Sequence, residues 1–254
     1  MKKITTTLLM IIAFSSLSKA QNTFKGLWLE VEKLEVENLP KSALTIVDNI
    51  YLKAEKEKNT PQIIKALFYK SKFSIILEED AQLKIINNFK KHISTSQFPT
   101  KNVLENVLAN LYWQYFTQNR YKFYKRTKTN KKINNNDFRT WDLDTLFEEI
   151  HCHFNNSLQN SELLQKTSIH DFSDILNIQK DAKKYRPTLY DFLANNALEF
   201  YKSSETSITR PSYKFIIDNA DFLGDYKTFS KLKLTSKDSL SLQFNALKIY
   251  QNLI

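Results

Sequence analysis

Ligand-type and acid–base side chains crowd together once in this chain, at Glu148-Glu149-Ile150-His151-Cys152-His153. His151, Cys152 and His153 are all metal-ligating types. Residues two apart on a helix stand ~200° apart around the axis, however, and cannot face one ion. A zinc site also needs three or four protein ligands, so no metal is expected. Glu148-x-x-His151 has the spacing by which di-iron bundles set two ligands on one helix face. Those sites require a second such pair and two further glutamates, and no other histidine has a glutamate three residues before it. Cys152 is the only cysteine, which excludes an internal disulfide. A helix-borne thiol cannot use such close neighbours as an orienting base, so Cys152 reads as a half-buried structural thiol flanked by surface histidines. Gly-x-Ser-x-Gly, His-Glu-x-x-His and glycine-rich phosphate loops do not occur. The expectation is a non-enzymatic chain without a cofactor.

Charge gives a second kind of chemistry. From Arg120 to Lys132 the basic residues Arg120, Lys122, Lys125, Arg126, Lys128, Lys131 and Lys132 meet no acid, and Tyr121, Phe123 and Tyr124 interleave with them. In a cytosolic protein that mixture would suit nucleic acid. In an exported one it suits an acidic protein surface or anionic head groups. Arg120, Lys122, Lys125 and Arg126 are the candidate binding residues. The plainer alternative makes the aromatics core residues and the lysines a solvated helix end.

Export is the expectation because Lys2 and Lys3 precede an apolar run from Leu8 to Phe14, and Ser18-Lys19-Ala20 offers small residues at a cleavage site. Residues 1–20 therefore read as a signal peptide, with 21–254 left in the periplasm, cell envelope or exterior. Loss of Lys2, Lys3 and Lys19 would lower the formal net charge of +10 by three. No stretch reaches the ~20 apolar residues of a spanning helix.

The elements that must position these residues are helical. Only Gly26 and Gly224 are glycine, too few for the tight turns and bulges of sheet proteins. Pro40, Pro61, Pro99, Pro187 and Pro211 precede apolar-periodic segments, as first-turn prolines do. Thr60-Pro61 reads as a cap and first-turn proline, Thr188 with Asp191 as a capping box, and Thr140 with Asp142 and Asp144 as an acidic helix start. Helical spacing links Trp28, Val31 and Leu34; Ala43, Val47, Ile50 and Ala54; and Leu83, Ile86 and Phe89 within 81–93. A helix is expected from about Pro61 to Leu77. The strongest stripe is Leu104, Leu108, Leu111 and Tyr115, widened by Val103, Val107, Tyr112 and Phe116. Later stripes join Leu143, Leu146, Phe147 and Ile150; Leu189, Leu193, Ala197 and Phe200; and Leu242, Ala246, Tyr250 and Leu253.

The predicted fold is all-α: antiparallel helix pairs in an irregular tetratricopeptide-like helical array. Ala43-x3-Val47-x2-Ile50 and Ala246-x3-Tyr250-x2-Leu253 carry the small–large–medium spacing of such repeats, although no strict 34-residue period runs through the chain. An irregular helical domain is the alternative. Residues 21–254 form one module with a possible subdivision at the Lys/Asn-rich loop near 127–137, and Arg186-Pro187 should break helix. The final amphipathic helix runs to Ile254 without a polar cap, which suggests an incomplete C-terminal end or a helix that packs on another subunit.

Several phrases group this chain with a known family. They include Leu39-Pro40-Lys41-Ser42-Ala43-Leu44, Leu111-Tyr112-Trp113-Gln114-Tyr115-Phe116, Asn119-Arg120-Tyr121-Lys122-Phe123-Tyr124 and Asp137-Phe138-Arg139-Thr140-Trp141-Asp142. Arg186-Pro187-Thr188-Leu189-Tyr190-Asp191-Phe192-Leu193 and Asn196-Ala197-Leu198-Glu199-Phe200-Tyr201 continue the series. From about Trp28 onward the chain resembles the N-terminal helical region of the large alpha-2-macroglobulin-like proteins exported by Bacteroidetes, some of which trap proteases. The resemblance implies a scaffold or docking module that precedes macroglobulin domains. This chain has no Cys-x-Glu-Gln thioester sequence, bait segment or β-rich domain, so protease trapping could not reside in these residues alone. The expected partner is a protein, or the remaining domains of a longer chain, and not nucleic acid. A stand-alone tetratricopeptide-like periplasmic adaptor is the alternative, and a helical glycan-active lyase with Glu148, Glu149 and a tyrosine in one pocket is a third reading.

Overall fold

The computed structural model describes residues 23–127, 134–176, 181–203 and 213–254. The proposed signal peptide, most of the Lys/Asn-rich loop and Pro211 lie outside them. Eleven α-helices occur among the described residues. They are α1 (Phe24–Val36), α2 (Pro40–Glu57), α3 (Thr60–Leu77), α4 (Ala81–Thr95), α5 (Thr100–Tyr124), α6 (Leu143–Ser157), α7 (Ser161–Lys166), α8 (Ala182–Tyr185), α9 (Leu189–Tyr201), α10 (Tyr226–Lys231) and α11 (Leu242–Leu253). An isolated antiparallel bridge joins Ser168 to Thr188. The fold is all-α.

Side-chain caps start several of the helices. Asp142, Asp225 and Ser241 each accept from a backbone N–H of the following first turn. At α9 the Thr188 hydroxyl and the Asp191 carboxylate satisfy each other's backbone N–H groups, the reciprocal box expected from the sequence. Two starts are displaced from expectation. Asn59, one residue before Thr60, caps α3 because its side-chain oxygen reaches Gln62 N. Asp142 caps α6, while Thr140 ends a short 3-10 turn over Phe138–Thr140. With glycine so scarce, left-handed backbone falls to Asn38, Lys58 and Asn160. A non-glycine residue there costs ~1–2 kcal/mol, least for asparagine, whose side chain bonds locally.

The described residues form two compact units, one of 23–85 with 172–176 and one of 86–127, 134–171, 181–203 and 213–254. The division lies within α4. In the first unit α1 packs on α2 and α2 on α3. Ala43, Ala54 and Ala66 are wholly buried and let these backbones approach, while Trp28, Val47, Ile50 and Phe73 fill the space between. Trp28 Nε1 donates to Gln62 Oε1 at 2.7 Å, and Gln62 Nε2 donates to Asp174 Oδ2 at 2.8 Å. That chain satisfies a buried indole and a buried amide and ties the segment around Asp174 to α3, each bond contributing about 1 kcal/mol net.

In the second unit α5 packs along α6, and α9 lies against α5, α7 and α11. Its core is aromatic. Trp113, Phe116, Phe147 and Phe200 meet at centroid distances of 5.1–6.0 Å, mostly edge to face, a geometry that adds ~0.5–1.5 kcal/mol per pair beyond burial. Some stripes shift from expectation. Ile85 and Ile93 are buried with Ile86 and Phe89 where Leu83 is only half-buried. Ala109 replaces Leu111 in the wall of α5. On α11 the inward row is Leu242, Ala246 and Ile249, and Tyr250, one residue further round, is exposed. The second small–large–medium triplet therefore does not form a packing ridge.

Candidate functional site

The basic segment ends α5, and the backbone prepares it. Asn119 leaves helical geometry at φ −116°, ψ 18°, and its amide donates to the Tyr115 carbonyl at 3.0 Å. The last turn is redirected at this kink. Phe123 is buried against Tyr115 and Phe116 and anchors that turn to the core. Arg126 locks it from the far side. Its Nη1 donates to the Trp141 carbonyl at 2.6 Å, and its guanidinium lies 4.7 Å from the Phe123 ring centroid. Arg120 is half-buried, 5.9 Å from the Phe116 centroid.

The four candidate residues thus separate into two roles. Arg120 and Arg126 pack against the core and brace the helix end, while Lys122 and Lys125 are exposed and neither pairs with a carboxylate among the described residues. Tyr121 is 82% exposed and Tyr124 51%. Tyr121 and Lys125 are four apart and Lys122 and Lys125 three apart, so they share one solvent face. A cation at a helix C-terminus is also favoured by the backbone dipole. Lys128, Lys131 and Lys132 lie outside the described residues.

The His-Cys-His stretch is arranged opposite to expectation. Cys152 is exposed, with the Asn156 amide 3.7 Å from its sulfur, and both histidines are half-buried with partners. The ~200° between them explains this, since each ring enters a different contact and the residue between them turns to solvent. His151 Nδ1 shares a 2.8 Å hydrogen bond with the Tyr201 hydroxyl. Burial, aided by the Lys248 charge, holds His151 below the ordinary histidine value, and burial raises the Tyr201 hydroxyl.

His153 enters a cluster that sequence spacing did not reveal. Its Nδ1 lies 2.5 Å from Glu105 Oε2 on α5, and its Nε2 lies 3.5 Å from Glu149 Oε2 one turn back on α6. Glu105 is only 3% exposed. Tyr112 stacks on the imidazole at 5.9 Å, and burial followed by the Glu149 charge raises its hydroxyl pKa. The i,i+4 spacing of Glu149 and His153 was a visible signal. Glu105, 48 residues earlier, had none. Because the carboxylates approach opposite ring nitrogens they do not converge on a point, and among the described residues no three His, Cys, Asp or Glu side chains are placed to hold a metal. Glu148 is exposed and stands apart from this cluster.

Beside it α5 carries a buried amide ladder. Asn102 donates to the Ser157 and Gln159 carbonyls, and Asn106 to Ser157 Oγ and the Leu193 carbonyl. Asn196 on α9 and Asn110 donate to Asn106 Oδ1. These bonds fix the relative register of α5, α6 and α9.

An open cleft of about 480 Å³ lies among residues 213–237 and is lined by Lys214, Lys233 and Lys237 with Asp218. Its larger side chains are engaged in packing: Phe215 meets Phe222 and Phe244, and Lys237 lies 4.8 Å from the Tyr213 ring centroid. No described helix is long and apolar enough to cross a membrane. No family model, characterised protein or solved structure matches this chain.

Proposed function

We propose that this chain is a non-catalytic, exported protein-docking module, of the kind its resemblance to the leading helical region of alpha-2-macroglobulin-like proteins implies. It engages an acidic protein surface through the C-terminal end of α5. The observation that carries the reading is the braced helix end itself. Tyr121 and Tyr124 stand in solvent beside Lys122 and Lys125, while Phe123, Arg126 and the Trp141 carbonyl hold the backbone beneath them. Exposed aromatics on a rigid backbone serve as anchors because little rotamer freedom is lost on binding. Neighbouring unpaired lysines steer an acidic partner and set the salt dependence of the encounter.

Site-specific photocrosslinking in the producing cell tests the reading. A benzoylphenylalanine at Tyr121 should capture a partner whose contacting surface is acidic, and added salt before irradiation should suppress capture. The same probe at Leu223, which is 85% exposed, should not capture it. Equal capture at both positions, or a partner with a basic surface, would contradict the proposal.

A further inference from the structure

We propose that Glu105, His153 and Glu149 form a protonation-dependent latch between α5 and α6, closed while the imidazole carries two protons and loosened when it loses one. The latch is independent of the docking face. It rests on geometry: carboxylate oxygens stand 2.5 Å from Nδ1 and 3.5 Å from Nε2 of one ring. A neutral imidazole has a single N–H and would serve one carboxylate while turning a lone pair toward the other. Only the imidazolium turns an N–H toward both carboxylates at once, Glu105 across on α5 and Glu149 on its own helix.

Enclosure makes the proton count matter. From α5 the ring faces Glu105 and Tyr112, and from its own helix Glu149. From α4 the Lys90 ammonium lies over the rings of Tyr112 and Trp141 at 5.7 and 5.0 Å. With His153 charged, the imidazolium offsets the two carboxylates that face its own nitrogens. With it neutral, a largely enclosed cluster keeps an extra negative charge in a medium that solvates charge poorly.

Burial opposes the charged ring, but the hydrogen bonds and charges of Glu105 and Glu149 outweigh it and carry His153 above the ordinary 6.5. A group whose folded-state pKa is raised contributes stability that is complete below its unfolded value. That contribution is lost as pH climbs through the folded value. The latch therefore opens on the alkaline side of about 6.5. His151, held below its ordinary value two residues away, shifts stability in the opposite sense.

Two measurements on the full chain test this. In imidazole-detected NMR across about pH 5 to 9, His153 should titrate above 6.5. Titration at or below that value overturns the latch. In urea unfolding, the wild-type midpoint should fall between pH 6.5 and about 9 more steeply than that of His153→Gln, whose comparison cancels the contribution of His151. Equal pH slopes also overturn it. Should His153→Gln fail to fold, the wild-type NMR titration alone decides.

Discussion

Helix α5 carries polar side chains in two settings that look alike as letters and behave in opposite ways. In its first three turns Asn102, Glu105 and Asn106 point inward, and each meets a partner on α6 or α9. At its C-terminal end Lys122 and Lys125 are exposed, and among the described residues neither pairs with a carboxylate. Apolar contact does not distinguish the two ends, since Leu104 and Leu108 flank the first and Phe123 anchors the second. The difference lies in what the neighbouring helices present. Where α6 and α9 offer carbonyls, a hydroxyl and an imidazole, polar groups are drawn inside and fix register. Where the chain turns away after Asn119, they are left in solvent. A polar residue inside costs heavily when its partner is removed, and one outside costs almost nothing to fold.

The largest test of that contrast is Glu105→Ala. It leaves His153 enclosed without its nearer carboxylate and should destabilise the protein by about 3–5 kcal/mol at pH 6, the cost of breaking a buried pair, read from urea unfolding. Asn106→Ala comes next. It removes bonds to α6 and α9 together and should cost about 2–3 kcal/mol by the same assay. Arg126→Ala joins the two regions. Loss of the Trp141 carbonyl bond and the Phe123 stacking should cost about 1–2 kcal/mol, and binding should weaken because the helix end loses its brace. The smallest effect on stability belongs to the double reversal Lys122→Glu with Lys125→Glu, which should stay within about 0.5 kcal/mol of wild type in thermal unfolding. A reversal that destabilised as much as Asn106→Ala would erase the distinction between the two ends.

Helicity and most of the core were legible in the sequence because they rest on local signals. Scarce glycine, first-turn prolines and the rows Ala43–Val47–Ile50–Ala54 and Leu189–Leu193–Ala197–Phe200 need no knowledge of distant residues, and all eight of those residues are buried. The displaced features each involved a choice between neighbours. Asn59 and Thr60 could both cap α3, and Ile249 and Tyr250 could both face inward. The long-range contacts near them decided. Among site residues, Arg120, Lys122, Lys125 and Arg126 formed one charge run with no hint that Arg126 would reach the carbonyl of Trp141, 15 residues away. Buried Glu105 was invisible for the same reason, because its partner His153 is brought to it only by the pairing of α5 with α6.

The most direct test of the docking proposal is the salt dependence of binding between the full chain and a fluorescein-labelled Asp/Glu-rich peptide, followed by anisotropy. The wild type should bind this peptide and not its Lys-rich counterpart, with affinity falling steeply from about 50 to about 300 mM salt as the charges are screened. Lys122→Glu with Lys125→Glu should bind at least about tenfold more weakly, roughly 1.4 kcal/mol, with a flatter salt response. Indistinguishable affinities and salt slopes for the two proteins would contradict the assignment of this helix end as the docking face.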